Sequence, residues 1–229
     1  MKRKILVVDI GGTYVKLLMS RRVEREFVSG PRMGPAEFVD RFKQNVRGWN
    51  FDVASIGLPA PMRNGRIVRD PKHLGKGWIR FNFARALGIP VRVVNDAAMQ
   101  ALGSYHGGRM LFLGLGTGLG SALVWDKILM PLELGDLPYP DGQIIENHLG
   151  IPGLELLGEK KWKREVAYAV TQLKKSFIAD HVILGGGLVH RLSRLPKGIE
   201  RGRNENALLG GVRLWEIKRN SRDLKWRVL

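Results

Sequence analysis

Two glycine turns, each carrying a threonine and each preceded by an apolar run, stand out in this sequence. The first is Gly11-Gly12-Thr13, which follows Asp9 at the end of a run that begins at residue 5. The second is Gly116-Thr117-Gly118, between apolar runs at 110–113 and 121–125. Glycines let the backbone come close to a phosphate, and amide and hydroxyl groups can then bind its oxygens. A single such turn is weak evidence, since an ordinary β-hairpin can also contain it.

Two charged side chains accompany the first turn. Asp9 is badly placed to contact a phosphate directly, but it is well placed to hold Mg²⁺ or its bound waters. Lys16 lies just beyond the turn and is a candidate phosphate ligand, although a solvated lysine on a strand is the commoner explanation. Because two such turns are well separated in the chain, we expect two similar lobes that face one polyphosphate chain.

Asn95 and Asp96 follow another buried strand, residues 91–94, and precede a helix at 97–105. Both residue types are preferred at helix N-caps. One of the pair suffices as a cap, so the other needs a second explanation. Phosphoryl transfer needs a group that takes the proton of the acceptor hydroxyl, and a carboxylate at the end of a buried strand can supply it.

The elements that must position these groups alternate between strand and helix patterns. The first turn should lie in an antiparallel meander, because two further strand patterns follow it directly. The remaining predictions are strands at 14–20, 23–28, 51–58, 66–69 and 181–184, helices at 35–47, 81–87, 159–179 and 204–211, and a frayed basic tail at 218–229.

Composition limits the class of protein. The 229 residues carry a net charge of +17, which indicates a polyanionic partner such as nucleic acid, anionic lipid or polyphosphate, or else a solvated basic surface. With no cysteine, disulfides and thiolate metal sites are excluded. No apolar run reaches membrane-spanning length, so we expect a cytoplasmic protein without a membrane partner.

The glycine turns and the Asn95-Asp96 pair together resemble the actin-like sugar kinases, and among them the ROK (repressor, open reading frame, kinase) family. The resemblance runs from Lys4 to about Trp215 and is closest to the short polyphosphate glucokinase-like branch. It implies an α/β, actin-like or ribonuclease H-like two-lobe fold, in which each lobe is a mixed sheet with flanking helices beside a central cleft. The small lobe would be residues 1–94, completed by a returning helix at 204–218, and the large lobe would be residues 95–203.

The resemblance also implies roles for individual residues. Asp96 matches the catalytic base, and the sugar ligands would be Asn95, Glu133, Asp136 and Glu146. The donor phosphates would be held by Gly11, Gly12, Thr13, Lys16, Gly116, Thr117 and Gly118. The turn near the nucleotide base would be Gly185, Gly186 and Gly187.

Three positions depart from the family pattern, and all are expected on the acceptor side or its rim. Ala60 stands in place of a glycine, His73 in place of an asparagine, and Asp136 in place of a histidine that contacts sugar hydroxyls or zinc. The cysteine-rich zinc motif of many relatives is missing as well, so no structural zinc is expected. Trp78 could stack on a sugar or serve as a core anchor.

The leading hypothesis is therefore a Mg²⁺-dependent transfer from polyphosphate or ATP to a sugar hydroxyl, with the 6-hydroxyl of glucose as the first choice. An ATP-dependent kinase for mannose or an amino sugar is the alternative within the family. A non-catalytic ROK protein that binds sugar or nucleic acid, or a degenerate kinase, is the alternative from another class. We expect no repressor role, because ROK repressors carry a helix-turn-helix before the first turn and here that turn begins almost at Met1. We expect no direct nucleic-acid partner either, because no recognised binding motif is present. Many relatives are dimers, so a homodimer is an expectation.

Overall fold

Two large mixed β-sheets share an order of five strands, and a pair of helices lies between them; the described residues also form one small two-stranded sheet. The computed structural model describes residues 3–203, 205–216 and 227–229. The strands are β1 (Ile5–Ile10), β2 (Tyr14–Leu18), β3 (Glu24–Val28), β4 (Val53–Leu58), β5 (Met62–Arg63), β6 (Arg66–Ile67), β7 (Val91–Asn95), β8 (Met110–Leu115), β9 (Leu119–Trp125), β10 (Ile128–Leu132), β11 (His181–Gly185), β12 (Ile199–Arg201) and β13 (Arg227–Val228). The helices are α1 (Pro35–Asn45), α2 (Phe83–Leu87), α3 (Asp96–Ser104), α4 (Ile145–Leu149), α5 (Ile151–Ser176) and α6 (Asn206–Arg213).

The strand order of the first sheet is repeated in the second. The first sheet runs β3-β2-β1-β4-β7, with an antiparallel meander on one side of β1 and parallel strands on the other. In the described residues the second sheet runs β13-β10-β9-β8-β11-β12, so that β8 and β9 take the places of β1 and β2. The turn after β1 and the turn after β8 therefore occupy equivalent positions in their sheets.

Helices cover both faces of the sheets, which is why the central strands are apolar along most of their length. On the outer face of the first sheet, α1 and α2 pack with Trp78 in one core cluster. Between the sheets, α3 and α6 join a cluster that contains Val7 of β1 and Phe112 of β8. On the outer face of the second sheet, α5 packs through Trp162. None of the helices in the described ranges has the length and apolar content needed to cross a bilayer.

The crossing of α3 and α6 depends on glycine. A Cβ added to Gly103 would overlap the carbonyl of Asn206, and one added to Gly210 would overlap the carbonyl of Met99. The two backbones are therefore in direct contact. Beyond this crossing, Oγ of Ser55 donates a hydrogen bond of 2.5 Å to the carbonyl of Gly211, which attaches α6 to β4.

Replacing Gly103 with valine should destabilise the protein by about 3 kcal/mol or more, because the added carbons meet backbone that cannot move aside. Thermal and urea unfolding would measure the change. Gly187→Val is the matched control, since an added Cβ there meets nothing within 4 Å. Equal stability of the two variants would contradict the close crossing.

Several element boundaries differ from the predictions. The helix predicted at 159–179 belongs to α5, which begins at Ile151 and is interrupted by Gly158 with φ 71°. Trp78 is fully buried, and its ring centroid lies 5.8 Å from that of Phe38. Trp78 is therefore part of the core, and the prediction that it could stack on a sugar is wrong.

The end of the chain was also predicted differently. The fraying predicted for the tail is wrong for Arg227–Val228, which pairs with β10, whereas residues 217–226 and Asn204 lie outside the described residues. The division into lobes at residues 94 and 95 stays a prediction.

Candidate active site

The two glycine turns face each other across the space between the sheets. A Cβ added to Gly12 would lie 3.4 Å from Oγ1 of Thr117, although these residues belong to different sheets. Both turns line one cavity of about 430 Å³. They approach this shared space from two sides, which is the arrangement needed to hold one phosphate chain between them.

The first turn keeps its own carbonyl groups bonded within the protein. Oγ of Ser29 donates to the carbonyl of Gly11 at 2.7 Å, and the N–H of Gly30 donates to the carbonyl of Gly12 at 3.2 Å. These two carbonyl oxygens, which would repel an anion, are thus bonded within the protein, and the N–H of Gly11 is also used internally, donating to the carbonyl of Tyr14 at 2.8 Å. In the second turn the carbonyl of Gly116 similarly accepts a hydrogen bond from the N–H of Ile151.

Asp9 and Asp96 reach the same cavity from β1 and from the first position of α3. Burial and, to a smaller extent, the neighbouring carboxylate of Asp9 together raise the pKa of Asp96 to about 7, against the opposing effect of backbone N–H groups at Ala97 and Asp96. Burial likewise raises the pKa of Asp9 to about 6, against the opposing charge of Lys16. A carboxylate with a pKa near 7 is suited to taking up a proton at neutral pH.

Asn95 is the N-cap of α3. Its Oδ1 accepts a hydrogen bond from the N–H of Ala98 at 3.1 Å, and its Nδ2 donates to the carbonyl of Ala60 at 3.3 Å. Asn95 therefore caps α3, and Asp96 is not needed as a cap, so its carboxyl group is available to line the cavity. The amide of Asn95 has a second N–H, so a contact with a substrate stays a prediction.

Two glutamates stand beside the second turn. Glu146 of α4 lines the cavity, and its Oε2 accepts a hydrogen bond from the N–H of Leu119 at 3.3 Å. Glu133 also lines the cavity from an exposed position at the rim. Partial loss of water around its carboxyl group, together with the charges of Asp136 and Asp96, raises the pKa of Glu133 to about 7.

Lys72 connects the acidic groups on this side of the cavity. Its Nζ donates to Oδ1 of Asp136 and, at 2.8 Å, to Oε1 of Glu146. Asp136 also accepts a hydrogen bond of 2.8 Å from Arg69. Burial lowers the pKa of Lys72, but the hydrogen bonds and charges of the two carboxylates outweigh this effect and raise it overall. Lys72 was not among the predicted site residues, because a lysine in an irregular loop carries no periodic signal of where it points.

Sequence comparison finds polyphosphate glucokinases. The polyphosphate glucokinase of Mycobacterium leprae (strain TN) is 24% identical over an alignment that covers 66% of this chain and 50% of the relative. This chain therefore spans about half the length of that relative. No protein-family model matches the chain.

Solved structures match almost the whole chain. The inorganic polyphosphate/ATP-glucomannokinase of Arthrobacter sp. strain KM has a TM-score of 0.80 at 22% identity, covering 93% of this chain and 98% of that one. A ROK family glucokinase from Streptomyces griseus, solved with glucose and AMPPNP, has a TM-score of 0.71 at 17% identity, covering 91% and 98%. The chain has the ROK sugar kinase fold. The predicted α/β, actin-like fold with mixed sheets is thus confirmed.

Within this ROK kinase fold, most of the predicted site residues come together. The cavity is lined by Asp9, Gly11, Gly12, Thr13, Lys16, Asn95, Asp96, Gly116, Thr117, Gly118, Glu133, Glu146, Gly186 and Gly187. Asp136 and Gly185 are not among its lining residues. Asp136 is held by the two cations at the rim, and a Cβ on Gly185 would meet the Phe112 ring inside the second sheet. The individual roles of these residues stay predictions.

The cavity of this ROK kinase fold is richer in carboxylates than in cations. Asp9, Asp96, Glu133 and Glu146 line it, against Lys16 and Lys72. A polyanionic donor entering this space needs further positive charge, which a divalent cation would supply. The described residues contain no cluster of three or more His, Asp or Glu side chains that could hold a metal ion. The carboxylates of Asp9 and Asp96 at the cavity suit Mg²⁺, which is usually held by one or two carboxylates together with substrate phosphates and water.

Two histidines differ from their expected settings. A histidine in a polar segment usually lies at the surface, but His148 is buried and stacks on the Tyr139 ring at a centroid distance of 4.1 Å. His73, expected at the acceptor rim, lines the cavity between the two glycine turns. From the sequence, His73 was notable only as a departure from the family pattern. Its contacts with the glycine turns could be seen only once the loop was folded.

Proposed function

We propose that this chain transfers a phosphoryl group from inorganic polyphosphate or ATP to a sugar hydroxyl, with the 6-hydroxyl of glucose as the first choice of acceptor. The observation that carries this proposal is the meeting of Gly12 and Thr117 over one cavity that Asp96 also lines. A donor held by both turns would present its terminal phosphorus to an acceptor beside the Asp96 carboxylate.

The reaction would form one P–O bond and break another. The acceptor oxygen attacks the terminal phosphorus, its proton passes to the carboxylate of Asp96, and the bond to the donor's bridging oxygen breaks. The donor leaves shortened by one phosphate. Mg²⁺, when bound, would neutralise charge on the donor, and Asp9 is the residue that would hold it or its waters. Closure around the cavity would keep water from competing as the acceptor.

The choice of donor rests on charge and similarity. Polyphosphate is a long polyanion, and a net charge of +17 would attract it over much of the protein surface. The named activities of the relatives in sequence and structure, polyphosphate glucokinase and polyphosphate/ATP-glucomannokinase, agree with this donor. ATP also needs basic groups but fewer of them, so charge favours polyphosphate only modestly.

One observation favours a second acceptor. Lys72 forms ion pairs with both Glu146 and Asp136. Glu146, which is predicted to bind the sugar, therefore already has a cationic partner. An acceptor must therefore be bound in the presence of this ion pair or must compete with it. Together with the departure from the family pattern at Asp136, this keeps a changed acceptor such as mannose or an amino sugar as the alternative of the same chemistry.

A matrix of donors and acceptors tests the proposal. Polyphosphate, ATP and GTP would each be combined with glucose, mannose, N-acetyl sugars and fructose, with Mg²⁺ present, and sugar phosphate would be measured. We expect turnover with at least one pair that includes polyphosphate or ATP. No sugar phosphate from any pair, together with measurable sugar binding, would instead support a non-catalytic binder. Tight, strongly salt-dependent duplex binding would support a nucleic-acid protein.

Asp136→His should improve glucose as a substrate. The change removes the carboxylate that holds Lys72 and Arg69, and it restores a side chain that can both donate to and accept from hydroxyl groups. We expect the KM for glucose to fall about tenfold, equivalent to ~1.4 kcal/mol. Asp40→His, at an exposed position of α1, is the control. Equal glucose kinetics in the wild type and Asp136→His would remove the basis for a changed acceptor.

A further inference from the structure

His73 lies in the loop between β6 and α2, and it touches both glycine turns. A Cβ added to Gly12 would lie 3.1 Å from Cβ of His73. A Cβ added to Gly118 would lie 2.9 Å from its Nε2. The side chain therefore extends from the turn of the first sheet to the turn of the second, within the lining of the cavity.

Within the part of the chain that the structure describes, the far nitrogen of this ring lacks a hydrogen-bond partner. Nε2 of His73 is buried, and among the described residues no protein group bonds to it. A buried polar atom without a partner costs free energy, because it has given up its bond to water. Such an atom in a cavity lining needs an explanation, and a bound ligand would supply the missing partner.

Both glycines leave room for the imidazole. At Gly118, an added Cβ would crowd Nε2 of His73 and would lie 2.5 Å from Oε2 of Glu146. The ring nitrogen and the carboxylate thus both lie over the second turn. If the turns hold the donor and Glu146 holds the acceptor, as proposed above, this is the point where the two substrates join.

We propose that His73 binds the phosphoryl group in transfer, by donating a hydrogen bond from Nε2 to one of its non-bridging oxygens. This inference rests on the proposed function. The side chain lies against both predicted phosphate-binding turns, through its Cβ at Gly12 and its Nε2 at Gly118, so a phosphate held by these turns is the better partner. His73 would thereby extend the donor site rather than the acceptor rim.

Binding measured without turnover tests this role. Inorganic tripolyphosphate with Mg²⁺ would be titrated calorimetrically into the wild type, His73→Asn and His73→Gln, and glucose would be titrated separately without any phosphate. Asparagine is too short to reach the position of Nε2, whereas the glutamine amide can reach it. We expect tripolyphosphate to bind His73→Asn about tenfold or more weakly, His73→Gln to recover most of this loss, and glucose affinity to change by less than about twofold. His106→Asn, at an exposed histidine paired with Glu200, is the control.

Unchanged tripolyphosphate affinity in His73→Asn would overturn the inference, and so would a loss of glucose affinity in its place. Melting curves would show whether each variant is folded, and His73→Gln supplies the test should His73→Asn unfold. The outcome is separate from that of the proposed function. A wild type that makes no sugar phosphate but binds tripolyphosphate through His73 would refute the kinase and keep this site. A wild type that makes sugar phosphate but binds tripolyphosphate as tightly without the His73 side chain would support the kinase and refute this site.

Discussion

Replacing Asp96 with asparagine should lower turnover by about 10²–10⁴-fold while the protein stays folded and binds sugar, since this is the usual size of a general-base contribution. Asparagine keeps the shape of the side chain but cannot accept the proton of the acceptor hydroxyl. In the wild type, turnover should fall as the pH drops below about 7, because the raised pKa of Asp96 leaves its carboxyl group protonated there. That acid limb should be absent from the residual activity of Asp96→Asn.

The same variant should be more stable than the wild type at pH 8. Burial raises the pKa of Asp96 in the folded protein above its ordinary value, so ionisation above about pH 7 costs folding free energy. Asparagine has no such cost. The difference in melting temperature should shrink as the pH falls toward 5, where the wild-type carboxyl group takes up its proton.

Turnover and melting temperature would both be measured for the wild type and Asp96→Asn, because lower turnover together with higher stability is expected only from the loss of a buried proton acceptor. Asp40→Asn, on the exposed face of α1, should change neither. Near-normal turnover in Asp96→Asn would mean that another group is the base. A loss of activity accompanied by a lower melting temperature at pH 8 would indicate structural damage instead of a lost proton acceptor.

Asp9→Asn should lower turnover by at least about 10²-fold and raise the Mg²⁺ concentration needed for half-maximal rate. Asp9 lines the cavity at the end of β1, and it is the carboxylate nearest in sequence to the first glycine turn. A metal ion that stabilises transition-state charge contributes several kcal/mol, and each 1.36 kcal/mol corresponds to a factor of ten in rate.

Rates measured against Mg²⁺ concentration at saturating donor would check this effect. Asp126→Asn, in the exposed turn between β9 and β10, removes a carboxylate far from the cavity lining and should leave the Mg²⁺ dependence unchanged. If Asp9→Asn showed the wild-type Mg²⁺ dependence with an unaltered rate, Asp9 would have no part in holding the metal.

The convergence of the turns was predictable because it follows from backbone patterns. Apolar, β-branched runs before Gly11 and before Gly116 indicated buried strands, and buried central strands deliver the turns that follow them to one end of their sheets. The Asn95-Asp96 pair was predictable in the same way, since capping could account for one residue only. These features depend on strand and helix periodicity, which is visible in a single sequence.

The side-chain contacts in irregular segments were not predictable. Loop residues have no period, so nothing in the sequence indicated that Lys72 would reach Glu146 or that His73 would reach Gly118. Resemblance assigned Asp136 to the acceptor but could not reveal the two cations that hold it. Trp78 illustrates the same limit, because stacking on a sugar and packing in a core require the same residue type.

The most direct test is a crystal structure with AMPPNP or tripolyphosphate, Mg²⁺ and glucose bound together. The account predicts that one phosphate chain contacts both the Gly12–Thr13 turn and the Thr117–Gly118 turn, with a carboxylate oxygen of Asp96 within hydrogen-bond distance, about 2.6–3.2 Å, of the glucose 6-hydroxyl. A phosphate chain bound by only one turn, or an Asp96 side chain directed away from the sugar, would contradict it.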